Sequence, residues 1–267
     1  MGFKRKLRES VERNNSLPCI GLDPDPEKLP SGVTIAQFNR AIIDATSDLV
    51  CAYKPNLAFY ESQGLEGLRA LEETVAHIPP GIPIIGDAKR GDIGNTARHY
   101  ARSLFDCFGF DAATLSPYLG LDSIEPFIAY AKKCVFLLCR TSNPSAKDFQ
   151  DLVVQGQPLY EHVAIKAREW NVHGNIGLVV GATYPRELAR IRQLCPAMCL
   201  LIPGVGTQGG DIEAVVQHGT DEVGMNAIIN VSRAVLYASA DSDFAEAARL
   251  SAVKLRSEIN SWRGAGD

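Results

Sequence analysis

Short apolar runs recur along the chain, each rich in β-branched residues and closed by glycine, proline or a charge. There are eight: PCIGLD (18–23), LVCAYKPN (49–56), PIIGDAK (83–89), AATLSPY (112–118), CVFLLCRTS (134–142), IGLVVGAT (176–183), CLLIPGVG (199–206) and EVGMNAIINV (222–231). Near-continuous apolar character predicts strands buried on both faces, as in a parallel sheet. Between the runs, QFNRAIIDATSDL, GLRALEETVAHI, NTARHYARSLFDCF and YPRELARIRQLC carry apolar residues at three- and four-residue spacing, the period of an amphipathic helix.

Eight such βα units in 267 residues predict a closed (β/α)8 TIM barrel, one α/β domain spanning residues 1–267. A doubly wound open sheet is the alternative. MGFKRKLRESVERNNS forms a short amphipathic helix before the first strand, and DFAEAARLSAVKLRSEINSW a final helix after the eighth. The longest irregular stretch, SNPSAKDFQDLVVQGQP (142–158), follows the fifth strand and is a candidate lid, because long loops in compact domains tend to serve function.

Composition narrows the function classes. With 46% hydrophobic and 22% charged residues the chain is globular. A net charge of −4 gives no general attraction for nucleic acid or an anionic membrane, so any phosphate must be held by a local site. Seven cysteines, an odd number with no C-x-x-C pair, mostly lie in apolar runs and read as reduced thiols of a cytoplasmic protein. The charged N-terminus lacks the apolar core of a secretory signal, and no run approaches the roughly 18 apolar residues that span a bilayer.

A barrel of this kind builds its active site at the C-terminal ends of its strands. Those ends carry Asp23, Lys54, Asp87 with Lys89, Thr141 with Ser142, a glycine-rich turn, and Arg233. Each alone fits a structural ion pair or a turn; their convergence on one rim favours a site. The densest group is GDAKRGDIGNT (86–96). Two-residue spacing puts Asp87 and Lys89 on one side of a strand, with Asp92 in the following loop, within reach of the same site or a neighbouring subunit's. An ammonium between carboxylates suits a proton donor, since opposite charges favour the charged forms, and suits a Schiff-base nucleophile poorly. Lys89 also takes the place a metal would occupy, and the segment has no histidine, so no metal site is expected.

The turn PGVGTQGGD (203–211) matches G-x-G-x-x-G, but Met225 and Asn226 stand where a dinucleotide site needs an acid. After the seventh strand of a barrel, such a turn instead presents backbone N–H groups to a phosphate, and Arg233 supplies the cation.

These residues resemble the orotidine 5′-phosphate decarboxylase family, in its longer bacterial form. IGLDPDP, YKPNLAFYE, DAKRGDIGNTA, TSNPSA, PGVGTQGGD and VSRAVLYA occur in family order over residues 20 to 238, and DxKxxDI followed by Thr is the most specific. The resemblance implies a homodimer with shared active sites and cofactor-free conversion of orotidine 5′-monophosphate to uridine 5′-monophosphate and carbon dioxide. It implies that Asp87, Lys89 and Asp92 form the catalytic array, that Asp23 and Lys54 bind the ribose, and that Asp92, Ile93 and Thr96 reach the partner's site. Ser142 would meet the pyrimidine, Gln208 would bridge base and phosphate within the Pro203–Gly209 turn, and Arg233 would hold the phosphate. A second acid, Asp25, follows Asp23, and NVS rather than a glycine turn precedes Arg233. Two alternatives are a Schiff-base aldolase on the same barrel and a sugar-phosphate sensor, which has no use for an acid–lysine–acid array.

Overall fold

Strands that are apolar on both faces must be covered on both, and a ring of parallel strands inside a layer of helices does this without leaving a sheet edge. The computed structural model describes residues 1–206 and 209–263. Its barrel strands are β1 Pro18–Leu22, β2 Ala52–Pro55, β3 Ile85–Arg90, β4 Ala112–Leu115, β5 Cys134–Arg140, β6 Ile176–Val180, β7 Leu200–Pro203 and β8 Ala227–Val231. They pair in parallel in the order β2-β1-β8-β7-β6-β5-β4-β3. The two ends of that order meet: Tyr53 bridges Ile84, Asn56 bridges Asp87, and the Tyr53 N–H donates to the Pro83 carbonyl at 3.0 Å. The closed barrel replaces the open-sheet alternative.

Every residue of β1, β2, β4, β6 and β8 is buried, as their mostly apolar character predicts. The intervening helices bury one stripe each. The helix Ile35–Thr46, for example, turns Phe38, Ile42 and Ile43 inward and starts at a capping box between Thr34 and Gln37. The helix Gly94–Arg102 runs on into a π-helical turn, Ser103–Cys107.

The N-terminal helix, Phe3–Asn14, closes the end of the barrel opposite the predicted site. It buries Phe3, Leu7 and Val11, with the Phe3 ring edge-on to Phe136 at 5.8 Å. Its polar groups reach the segments that lead into successive strands. Asn14 donates to the Ser47 and Val50 carbonyls at 3.0 and 2.7 Å, Arg13 to Gly81 at 3.1 Å, and Lys6 pairs with Asp111 at 2.6 Å.

Two expectations change. Of the run 222–231 only Ala227–Val231 is strand. Asp221 accepts the Val223 and Met225 N–H groups and the Asn226 side chain, at 3.1, 2.8 and 2.7 Å, while Gly224 and Asn226 take φ of 69° and 58°. That makes a tight turn where hydropathy alone predicts a strand. The candidate lid is also structured: a 3-10 turn, Pro144–Asp148, and a small hairpin pairing Val153–Val154 with Gln157–Pro158. Gln155 and Gly156 both have positive φ, 52° and 82°, as a two-residue hairpin turn requires. The segment is fastened to the end of β5. Gln150 binds Thr141, and the buried Arg140 guanidinium lies 3.8 Å over the Tyr184 ring and reaches Asp151 at 3.3 Å.

All seven cysteines are unpaired, and all except Cys107 are buried. Burial pushes the Cys19 and Cys199 thiols up to about 12, so they serve as small apolar groups. No helix among the described residues is long and apolar enough to cross a membrane.

The N-terminal helix generates a stability prediction. Asn14→Ala takes a donor from the buried Val50 carbonyl and the part-buried Ser47 carbonyl and should lower unfolding free energy by about 1–3 kcal/mol in equilibrium urea titrations. An unchanged midpoint would show that the end of this helix is not an anchor for β2.

Candidate active site

Part of the set of polar residues that end the strands gathers around a cavity of about 380 Å³ at the C-terminal rim, with Lys89, Thr141 and Ser142 outside its lining. Asp23, Lys54, Asp87, Pro203, Asn230 and Arg233 all line it. At its floor a carboxylate, Asp87, lies between two ammonium groups, Lys54 and Lys89, within the one chain. Asp87 Oδ2 accepts from Lys54 Nζ at 2.6 Å, and Oδ1 accepts from Lys89 Nζ at 2.6 Å and from Thr114 Oγ1 at 2.9 Å. Lys54, expected only as a ribose ligand, is thus also a direct partner of the acid.

Asp87 and Lys89 meet through a bulge rather than through plain strand alternation. Gly86 pairs with Ala113 and Arg90 with Leu115, so the register shifts between them. Lys89 takes a left-handed φ of 46°, and its N–H donates to Thr114 Oγ1 at 2.9 Å. Bulges of this kind re-aim side chains beside functional sites. Gly86 allows β3 to lie close to its neighbour: a Cβ there would stand 2.5 Å from the Phe110 ring.

Burial alone would raise the Asp87 carboxyl, but Lys54 and then Lys89, through charge and hydrogen bonds, hold it well below the usual carboxylate range. Burial likewise disfavours the Lys54 ammonium, and Asp87 and Asp23 outweigh it, holding Lys54 above the ordinary lysine value. Asp87 and Lys54 are both charged at neutral pH.

Asp23 and Asp25 separate clearly. Asp25 accepts from Lys28 at 2.7 Å and from the Glu27 N–H at 3.2 Å, whereas Asp23 Oδ1 is buried at the cavity with no hydrogen-bond partner among the described residues. The Tyr237 hydroxyl donates to the Asp23 carbonyl at 2.9 Å and accepts the Asp25 N–H at 2.7 Å, tying the β1 loop to the segment after β8. Across the cavity Arg233 makes no ion pair among the described residues. Beside it the turn after Pro203 folds through Gly204, Gly206 and Gly209, all at positive φ, with the Gly210 N–H on the Gly204 carbonyl at 3.1 Å. Gln208 lies outside the described residues. Ser142 packs against Gly181 at the top of β6, where a Cβ would stand 2.9 Å from the serine Cβ.

Asp92, Ile93 and Thr96 are not brought to Lys89 within the chain. Asp92 accepts the adjacent Ile93 N–H at 2.8 Å and forms no ion pair among the described residues. Ile93 is 55% exposed, and Thr96 is exposed beside it. Sequence reasoning missed Thr114, Asn230 and Tyr237. Thr114 and Asn230 did leave a signal, as isolated polar residues inside AATL and AIINV. Among the described residues no three His, Cys, Asp or Glu side chains cluster closely enough to hold a metal ion.

A family model described as Orotidine 5'-phosphate decarboxylase / HUMPS family matches residues 16–249. The chain belongs to this family. Among its relatives, the orotidine 5'-phosphate decarboxylase of Ralstonia pickettii (strain 12J) is 52% identical over 98% of the chain and the whole of that protein. The solved structure of Leishmania donovani OMP decarboxylase superposes with a TM-score of 0.89 at 42% identity, over all of both chains. Leishmania donovani UMP synthase gives a TM-score of 0.91 at 44% identity; 99% of this chain matches 57% of that longer one. Membership of the orotidine 5'-phosphate decarboxylase family gives the Schiff-base alternative no support. Nor does the geometry, since Lys89 Nζ is turned onto a carboxylate.

The buried charges generate a pH prediction. Asp87→Asn strips Lys54 of its counter-charge and should cost about 3–5 kcal/mol at neutral pH. A depressed carboxyl contributes stability above its unfolded value and loses it as pH falls toward the folded one. The gap between wild type and variant should therefore narrow below the ordinary value of 3.8, by about 1.4 kcal/mol per pH unit. Urea unfolding measured from neutral pH to about pH 3 checks this. A gap that stays constant into acid would mean Asp87 is not held ionised by its lysines.

Proposed function

We propose that this chain converts orotidine 5′-monophosphate to uridine 5′-monophosphate and carbon dioxide, the decarboxylation that completes de novo pyrimidine biosynthesis, without a cofactor. The observation that carries the proposal is the Lys54–Asp87–Lys89 array beside a cavity also lined by Arg233, which makes no ion pair among the described residues. When the bond from C6 to the carboxylate breaks, its electron pair stays on C6 in the plane of the ring, where the π system cannot spread it. The Lys89 ammonium attracts that localised charge more strongly than the diffuse charge of the substrate, and this difference lowers the barrier. Lys89 Nζ then gives its proton to C6, and solvent returns one to the amine.

Asp87 stands against the departing carboxylate, a repulsion relieved as carbon dioxide forms. Asp23, with its buried and unpartnered oxygen, and Lys54 take the ribose hydroxyls. Arg233 and the N–H groups of the Pro203–Gly209 turn, Gln208 included, take the phosphate. Ser142 faces the pyrimidine.

The working unit is a homodimer in the cytoplasm, with Asp92, Ile93 and Thr96 completing the partner's site. Support comes from Asp87 being the one carboxylate that pairs with Lys89 among the described residues, and from Asp92, which forms no ion pair among them, beside the exposed Ile93. The six buried, unpaired thiols fit a reducing compartment.

Adding orotidine 5′-monophosphate to the purified protein without cofactor should lower the ultraviolet absorbance as the product forms; no change overturns the function. For the shared site, Lys89→Ala and Asp92→Ala proteins should each be nearly inactive and should recover on mixing. Random exchange makes about half the dimers mixed, each with one intact site, so about a quarter of wild-type activity per site is expected. With exchange verified by mass, activity that stays at baseline places Asp92 in its own subunit's site.

A further inference from the structure

Between the pairs Gly86–Ala113 and Arg90–Leu115, strand β3 carries three residues, Asp87, Ala88 and Lys89, while β4 carries only Thr114. The ladder cannot serve all three. The Lys89 N–H has no carbonyl opposite it and donates to Thr114 Oγ1 at 2.9 Å instead. That oxygen accepts from Lys89, so its own proton is directed to Asp87 Oδ1, also at 2.9 Å, because an ionised carboxylate only accepts. Asp87 Oδ1 in turn accepts from Lys89 Nζ at 2.6 Å, which closes a loop from the Lys89 backbone through Thr114 and Asp87 to the Lys89 ammonium. Thr114 is 1% exposed, so no water competes for either bond.

Lys89 needs such a support. A φ of 46° is unfavourable for any residue with a Cβ and persists only where the surroundings over-determine it. We propose that Thr114 is a positioning residue: its one hydroxyl holds the Lys89 backbone in its bulged conformation and orients the Asp87 carboxylate, and so aims the Lys89 ammonium. The inference rests on the decarboxylase reading for its kinetic consequence. Misplacing a reacting group by about 1 Å costs as much as 10²-fold in rate. Of the groups assigned to substrate binding, Asp23, Arg233 and the turn after β7 lie on other strands, and Lys54 holds the other carboxylate oxygen, Asp87 Oδ2, so loss of the hydroxyl acts chiefly on the chemical step and little on affinity.

Thr114→Val keeps the shape and the β-branch and deletes both hydrogen bonds; Thr114→Ser keeps the hydroxyl and deletes a methyl. The valine protein should lose kcat by about 10–100-fold with KM within about 3-fold of wild type, and the serine protein should stay within about 3-fold in both. A packing role would lower both variants alike, and a binding role would raise KM; either outcome overturns the inference, as does an unchanged kcat in the valine protein. Wild-type protein that fails to turn over orotidine 5′-monophosphate in the same assay sinks the decarboxylase reading instead. Positioning is then decided by the crystal structure of Thr114→Val. Lys89 should leave the positive-φ region and its Nζ should part from Asp87, and an unaltered Lys89 overturns the inference whatever the activity.

Discussion

Asp87 is a carboxylate with almost no access to water, and a charge in that position must be met by positive charge from the protein itself. Two lysines meet it, one from the neighbouring strand β2 and one from its own strand two residues on. The Lys54 pair also crosses the seam between β2 and β3, where the barrel closes through isolated bridges and not a continuous ladder. The interaction that fixes the electrostatics of the cavity therefore also helps hold the ring of strands together. Closure and charge depend on each other, since an open seam would admit water to the pair and weaken it.

Such an arrangement is expensive. Buried ion pairs seldom add stability compared with apolar packing, and a non-glycine residue at positive φ stores about 1–3 kcal/mol. Both costs fall on β3, between Gly86 and Arg90. The rest of the barrel offsets them with strands buried on both faces and an N-terminal helix that secures the segments entering β2 to β5. Strain concentrated at one rim and regular packing elsewhere is what a site held in a fixed, unrelaxed geometry requires.

The architecture was legible because it depends on period and burial. Eight apolar runs became eight strands, and Asp23, Lys54, Asp87 and Arg233, from the ends of four of them, line one cavity. What stayed hidden depends on local backbone conformation. Gln155–Gly156 makes a hairpin turn without the Asn-Gly signal, and Asp221 winds 221–226 into a turn although its sequence is apolar enough for a strand. Strand alternation put Asp87 and Lys89 together for a reason that does not hold, because the bulge makes the contact. Linear spacing also could not show that Lys54, 33 residues earlier, lies beside Asp87. Thr114 was passed over as one polar atom in a strand, although such an atom inside an apolar barrel must be explained by a partner.

The rim divides the work by distance. β2 and β3 carry the fixed charges and β4 the hydroxyl that supports them, while β7 and β8 lead into the glycine-rich turn and Arg233, whose guanidinium has no ion-pair partner among the described residues. Tyr237 spans the two regions, with its ring in the segment after β8 and its hydroxyl on the backbone of Asp23 and Asp25. An anion bound at Arg233 would pull on that segment, and through Tyr237 on the loop that presents Asp23. Binding energy from a group remote from the reacting carbon then has a covalent and hydrogen-bonded route to the side of the cavity where the charges are fixed. The array itself needs no adjustment on binding, because Asp87 is already held by three donors. With the charges already fixed at Asp87, a contact made at Arg233 would reach the rest of the cavity without disturbing the geometry of that array.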